Sequence, residues 1–307
     1  MLRRSCSIVL AMAVVVLGAH MALAALIAPV KLYDPPGSQA GPSRNAAWLL
    51  YAANTKDRPR HWDAFARPVA GGTPTKINAN GTQGYTGGFD PGTNTAIFEE
   101  YTSDTYDIRM FDLDTTQRVA TPRPLQTGAI EFDPRISTAY ISFFRYQKMN
   151  GVWYANLYLL DRSDDSLKKL TSIKSKNGQY VLNDFLGEHN ATWTVCAATC
   201  VVRVYDIDAK TTTKLPSTSD HKPEYASTID ESVGALFFVR SGFGCGVGVT
   251  IWRVPLADLS ATPTKLAALP KGQDVSNSMS LDGGDLLFGK YPCNGWGGIF
   301  ALPGADT

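Results

Sequence analysis

Gly88-Phe89-Asp90-Pro91-Gly92-Thr93-Asn94-Thr95-Ala96-Ile97-Phe98, followed after a polar spacer by Asp107-Ile108-Arg109-Met110-Phe111-Asp112-Leu113, is the stretch whose reading decides the fold. It holds an aromatic residue at a turn, a short apolar strand, a polar loop, and an alternating strand that ends in a second Asp-bearing turn. Asp, Pro and Gly suit such turns, which need side-chain hydrogen bonds to the backbone and preset or permissive φ. The apolar run is too short for a helix and is bounded by turn residues, which reads as a strand.

Working outward, the unit recurs at a period of about 45 residues, a spacing typical of propeller blades. The turn signal returns as Phe132-Asp133-Pro134-Arg135, Ile229-Asp230-Glu231-Ser232 and Leu281-Asp282-Gly283-Gly284. Degenerate copies read Leu186-Gly187-Glu188-His189 and Pro42-Ser43-Arg44-Asn45. Apolar strands follow at 47–51, 95–98, 138–144, 192–195, 235–239 and 286–288, and alternating third strands at 63–69, 108–113, 156–160, 201–207, 250–256 and 298–302. A Thr/Lys-rich fourth strand closes most units, as at 74–77 and 213–215. This pattern predicts an all-β, six-bladed β-propeller with four antiparallel strands per blade. Solenoid rungs are usually shorter, and a sandwich has no reason to repeat one turn signal six times. The last repeat stops after its third strand, so the β-prone segment 26–32 is expected to supply the missing outer strand and close the ring.

Charge and composition exclude some partners. The chain has 307 residues, 44% of them apolar and 19% charged, with a formal net charge of +1. No Lys/Arg run marks a nucleic-acid or anionic-membrane surface. The N-terminus differs from the rest. Leu2-Arg3-Arg4, an apolar core over 8–18, and Ala22-Leu23-Ala24 form the three parts of a secretory signal peptide. The apolar core is short for a bilayer span. We therefore expect a cleaved segment 1–24, a single propeller domain 25–307, no membrane span after cleavage, and a secreted or periplasmic destination. Cleavage removes Arg3 and Arg4 and moves the net charge from +1 to −1.

Four cysteines remain after Ala24: Cys196, Cys200, Cys245 and Cys293. An even number in an exported chain suggests disulfides. Cys196-Ala197-Ala198-Thr199-Cys200 separates two β-like runs, so a short hairpin places its sulfurs opposite each other, and Cys245 then pairs with Cys293 by elimination. All four fall in loops between second and third strands, on the face where chain passes from blade to blade. The starts of the inner strands open on the same face. They bring Tyr85, Tyr180, His221, Glu224, Tyr225, Asp274 and Asn277 to one channel mouth, where aromatics with a few polar groups suit a sugar, peptide or other small ligand. Packing of blade against blade is the competing role for those residues.

Catalytic signals are sparse. His61, His189 and His221 belong to no metal-pair motif, and no G-x-S-x-G is present. Asp112/Asp114, Asp164/Asp165 and Asp206/Asp208 have spacings open to calcium, but such residues more often satisfy hairpin backbone groups.

Gly88 to Phe98 and Asp107 to Leu113 resemble the WD40-like repeat of the TolB-like propeller family, in which an aromatic and an Asp-Gly turn precede an apolar strand. The likeness covers nearly the whole chain after Ala24. It implies a six-bladed propeller, export, and protein or small-ligand binding at one face. TolB proteins add an N-terminal α/β domain and work in a periplasmic envelope complex; from Ala25 this chain runs into the propeller. The expectation is a monomeric, non-enzymatic module without cofactor or metal, binding a protein, cell-envelope component or small ligand. The alternative is a hydrolase or lyase acting on carbohydrate or lactone in the channel, using His221, Glu224 and a metal.

Overall fold

A computed structural model describes residues 29–33, 39–55, 57–102, 105–126, 128–149, 152–174, 180–216, 222–241, 248–292 and 297–305. Strand β1 (Val30–Tyr33) precedes six successive antiparallel sheets. Blade 1 comprises β2 (Gln39–Arg44), β3 (Trp48–Thr55), β4 (Arg58–Pro68) and β5 (Thr75–Lys76). Blade 2 comprises β6 (Gln83–Phe89), β7 (Thr95–Tyr101), β8 (Tyr106–Asp112) and β9 (Gln117–Val119). Blade 3 comprises β10 (Ile130–Ile136), β11 (Tyr140–Met149), β12 (Val152–Asp161) and β13 (Leu167–Lys169), with β14 (Ile173–Lys174) also on β12. Blade 4 comprises β15 (Tyr180–Leu186), β16 (Asn190–Cys196), β17 (Cys200–Asp206) and β18 (Thr211–Lys214). Blade 5 comprises β19 (Glu224–Asp230), β20 (Ala235–Ser241), β21 (Val249–Pro255) and β22 (Thr264–Ala268). Blade 6 comprises β23 (Gln273–Asp282), β24 (Asp285–Pro292) and β25 (Gly298–Leu302), and its fourth strand is β1. Val30 faces Ala301 across that closure, as the sequence predicts.

Second strands explain the apolar runs that make the repeat visible. Each lies between two neighbouring blades and is buried on both faces, so successive side chains enter different seams. Phe143 packs into the seam with blade 2, while Phe144 packs into the seam with blade 4. Phe237 faces blade 6 and Phe238 faces blade 4. Leu50 joins blades 1 and 2, while Leu49 and Tyr51 meet Ile299 of blade 6. Among the described residues every seam thus holds its own apolar cluster. Burying a Phe side chain contributes about 1.5–3 kcal/mol, so the seams supply much of the cohesion between blades.

Outer strands show the reverse pattern. β9, β13 and β18 are exposed along their length. Lys76, Arg118, Lys168, Lys214 and Lys265 each sit on a fourth strand, and cations on an exposed edge discourage pairing with another chain.

Inner strands are irregular in a repeated way. Each of the six carries a β-bulge, marked by register shifts at Ala40/Ser43, Thr86/Gly88, Phe132/Arg135, Asn183/Phe185, Tyr225/Thr228 and Val275/Met279. This corrects one sequence expectation. Phe132-Asp133-Pro134-Arg135 reads as a turn between first and second strands, yet it lies inside β10. Asp133 takes φ +51°, as does Ala226 at +50° in the equivalent bulge of blade 5. An Asp-Pro pair marks left-handed or preset backbone, which serves a bulge as well as a turn. The turn of blade 3 follows instead, where Ser137 N–H donates to Tyr140 O at 2.9 Å.

Candidate functional site: the two ends of the channel

The bulges form a waist around the channel, where neighbouring inner strands are tied together. Thr86 Oγ1 donates to Gly41 O at 2.6 Å, and Ser280 Oγ to Pro42 O at 2.8 Å. Asn183 Nδ2 donates to Asp133 O at 2.7 Å, and Ser227 Oγ to Asp184 Oδ2 at 2.7 Å. Gly87 permits the approach of blades 2 and 3, because a Cβ there would sit 2.4 Å from Pro134 O.

Above the waist lies the mouth predicted from sequence. Tyr85, Glu224, Tyr225 and Asp274 precede the bulges of their strands, and Tyr180 begins β15. Tyr225 Oη donates to Asp274 Oδ1 at 3.0 Å, joining blades 5 and 6. Burial, with Glu99 and Tyr106 beside it, raises the Tyr85 phenol to about 12. Trp62 lies with its ring centroid 5.9 Å from that of Tyr85. Cys196 and Cys200 are register partners joined by a disulfide, and Tyr180 Oη lies 3.9 Å from Cys200 Sγ. Tyr180 is 52% exposed, so it presents its ring to solvent above the cross-linked hairpin. Glu224 does the opposite. It is 1% exposed and accepts from Arg240 Nη2 at 2.7 Å, which holds it within blade 5. His221, Cys245 and Cys293 lie outside the described residues, as does the side chain of Asn277.

Sequence reading missed the counterpart of Glu224. Glu131 occupies the same place before the bulge of blade 3 and accepts from Arg145 Nε at 2.8 Å. Each arginine also lies over two aromatic rings, Arg145 over Phe143 and Tyr158, Arg240 over Phe238 and Trp252. The signal was available: Glu131-Phe132 and Glu224-Tyr225 both set an acid before an aromatic at the start of an inner strand.

Below the waist, the channel widens into a cavity of about 580 Å³ lined by all six blades. It was not foreseen. Its rim is made by the recurrent turns themselves. Arg44 pairs with Asp282, Arg162 Nη2 meets Asp90 Oδ2 at 2.8 Å, and Thr138 N–H donates to Glu188 Oε1 at 2.6 Å. Glu231 accepts backbone N–H groups of Glu188, His189 and Asn190 at 2.8–3.0 Å. Gly187 makes that approach feasible, since a Cβ would lie 2.5 Å from Glu231 Oε1. His189 stands in the rim, largely exposed, with Nδ1 2.8 Å from Asp208 Oδ2, and that carboxylate raises its pKa. The paired turn acids serve their own hairpins: Asp112 accepts from Asp114 N–H, and Asp206 from Ala209 N–H.

Two buried acids lie at the waist, and one of them, Asp184, also lines the cavity. Burial raises Asp184 to about 7, although Thr194 and Ser227 hydroxyls donate to its Oδ2. Burial raises Glu99 likewise to about 7, and it accepts from Asp133 N–H at 2.6 Å. Arg135 lies between them, with Nη1 2.8 Å from Asp133 Oδ1 and Nε donating to Asp184 O at 3.2 Å.

Comparison with known proteins gives the fold a precedent. No family model matches the chain, and no curated protein matches it by sequence. Solved structures do. TolB from Acinetobacter baumannii is similar with a TM-score of 0.53 at 15% identity over 84% of this chain, which spans 64% of that protein's length. A putative TolB from Agrobacterium tumefaciens is similar with a TM-score of 0.54 at 13% identity, covering 87% of this chain and 91% of that one. An oligogalacturonate lyase in complex with manganese follows at 0.52 and 11%, covering 92% and 99%. Together with the six closed blades, these likenesses make the chain a TolB-like β-propeller in fold. Among the described residues no helix is long and apolar enough to cross a membrane.

Proposed function

We propose that this protein is an exported, monomeric binding module that engages a protein or cell-envelope component, or a small ligand, through the mouth of the propeller. One observation carries the reading. At the mouth an exposed Tyr180 lies beside a disulfide-closed hairpin, together with the half-buried Trp62–Tyr85 pair and the Tyr225–Asp274 link. Aromatic rings held on rigid backbone lose little conformational freedom on contact, which favours binding. Export rests on the cationic, apolar and small-residue parts of segment 1–24.

Site-specific photo-cross-linking tests the face. A photoreactive residue at Tyr180, on the mouth, is compared with one at Val233, exposed in a turn at the other end. Envelope adducts from the Tyr180 position alone support the reading, and adducts from Val233 alone overturn it. Metal analysis runs beside it: a stoichiometric metal lost in His221→Ala would replace the binding module with a channel enzyme.

A further inference from the structure

The lower cavity has chemistry that the mouth reading does not use. Five charged side chains line it: Arg135, and against it Asp184, Asp230, Glu231 and Asp282. Asp282 is matched by Arg44 of the neighbouring blade. Asp230 and Glu231 accept from hydroxyl and backbone groups, which satisfy their lone pairs and leave their charge in place. A cleft walled by low-dielectric protein and lined with one sign of charge concentrates ions of the other sign.

A second observation is independent of that excess. Asp184 and Thr228 line the cavity from adjacent blades and are 1% and 0% exposed. Asp184 Oδ1 and Thr228 Oγ1 have no hydrogen-bond partner among the described residues, although Asp184 Oδ2 on the same carboxylate has two. Buried polar atoms are nearly always paired, and leaving one unmade costs about 1–3 kcal/mol. Two such oxygens in the wall of one cavity call for a donor from a ligand.

The nature of the donor follows from count and size. A bare metal ion needs several converging oxygens, roughly six for calcium. Among the described residues no three His, Cys, Asp or Glu side chains are grouped to hold one. The cavity, at about 580 Å³, lies in the range of about 300–1,000 Å³ that holds small organic ligands. One carboxylate oxygen and one hydroxyl are enough for the N–H groups of an ammonium or guanidinium.

We infer that the turn end of the channel is a binding site for a small organic cation, whose ammonium or guanidinium group donates to Asp184 Oδ1 and Thr228 Oγ1. This site is separate from the mouth and stands or falls without it.

Calorimetric titration of the purified protein with agmatine, at pH 8 where Asp184 is ionised, tests the inference. The uncharged 1,5-pentanediol and calcium serve as comparison ligands. Agmatine is expected to bind one per chain, and the diol not at all. Asp184→Asn keeps the shape and removes the charge, and should weaken agmatine at least tenfold. Thr228→Val keeps the volume and removes the hydroxyl, and should weaken it severalfold. Thermal melting of both variants establishes that they are folded. No agmatine binding to the wild type, equal binding to wild type and both folded variants, or calcium binding in its place would each overturn the proposal.

Discussion

The two ends of the channel are held together differently. At the turn end, charged and amide side chains reach across seams: Asn45 to Asn94, Arg162 to Asp90, Glu188 to Thr138, Glu231 to the turn of blade 4, and Arg44 to Asp282. At the mouth, the ion pairs stay inside their blades: Asp63 with Lys76, Glu100 with Arg118, Glu131 with Arg145, and Glu224 with Arg240. Tyr225 to Asp274 is a mouth link that crosses a seam. The turn end is therefore a collar locked by charged and amide groups. Among the described residues of the mouth, by contrast, the ion pairs stiffen single blades, and seams are crossed by aromatic and hydroxyl contacts such as Trp62–Tyr85 and Tyr225–Asp274.

That contrast gives predictions that differ in size. The largest concerns the mouth. Arg240→Met removes the cationic member of a buried ion pair with Glu224, a change that costs about 3–5 kcal/mol; the denaturation midpoint should fall accordingly. Adding Glu224→Gln should recover most of the loss, and failure to recover would show that Arg240 acts through its ring contacts instead.

Next is the waist. The folded-state value of Asp184, about 7, lies above the ordinary 3.8, so the folded protein keeps a proton that the unfolded chain releases between those values. Stability from this group is full below about pH 4 and falls as pH rises towards 7, by about 1.4 kcal/mol per unit. Asp184→Asn should flatten that slope in thermal melts and leave the variant more stable than wild type at pH 8, by on the order of 4 kcal/mol. A lower melting point at pH 8 would mean the ionised carboxylate is wanted in the fold.

Smaller still is the hairpin. Replacing Cys196 and Cys200 together by Ser opens a short loop, for which chain entropy gives about 2 kcal/mol. Because that bridge lies within one blade, cross-linking at Tyr180 should weaken while hydrogen exchange in the turns of blades 3 and 5 stays unchanged. Tyr225→Phe, which removes one hydroxyl from the 5–6 seam, should cost about 1 kcal/mol. A cost well above that would place the mouth, too, under cross-seam control.

The sequence revealed those features that depend on local pattern. Leu236-Phe237-Phe238-Val239 reads as a strand because both its faces are buried, and Leu281-Asp282-Gly283-Gly284 reads as a turn because the backbone there needs Gly. Asp133-Pro134 misled for the same local reason, since one dipeptide serves a turn and a bulge. What stayed hidden depends on closure. Arg145 and Arg240 find their glutamates only across a strand pair, and the lower cavity exists only when six inner strands converge. Nothing around Asp184 in the chain marks it as buried; Thr194 and Ser227, its partners, come from the next strand and the next blade.

The pairing of Val30 with Ala301 also sets an order of events. Five blades are each built from contiguous chain, whereas in the sixth the early strand β1 must wait for β25. Until β25 arrives, β1 has no place to pair and the Leu49–Tyr51 face of blade 1 lacks Ile299. Closure of the ring therefore rests on two segments far apart in the sequence: without β25, both the outer strand of blade 6 and the cover of blade 1 are lost.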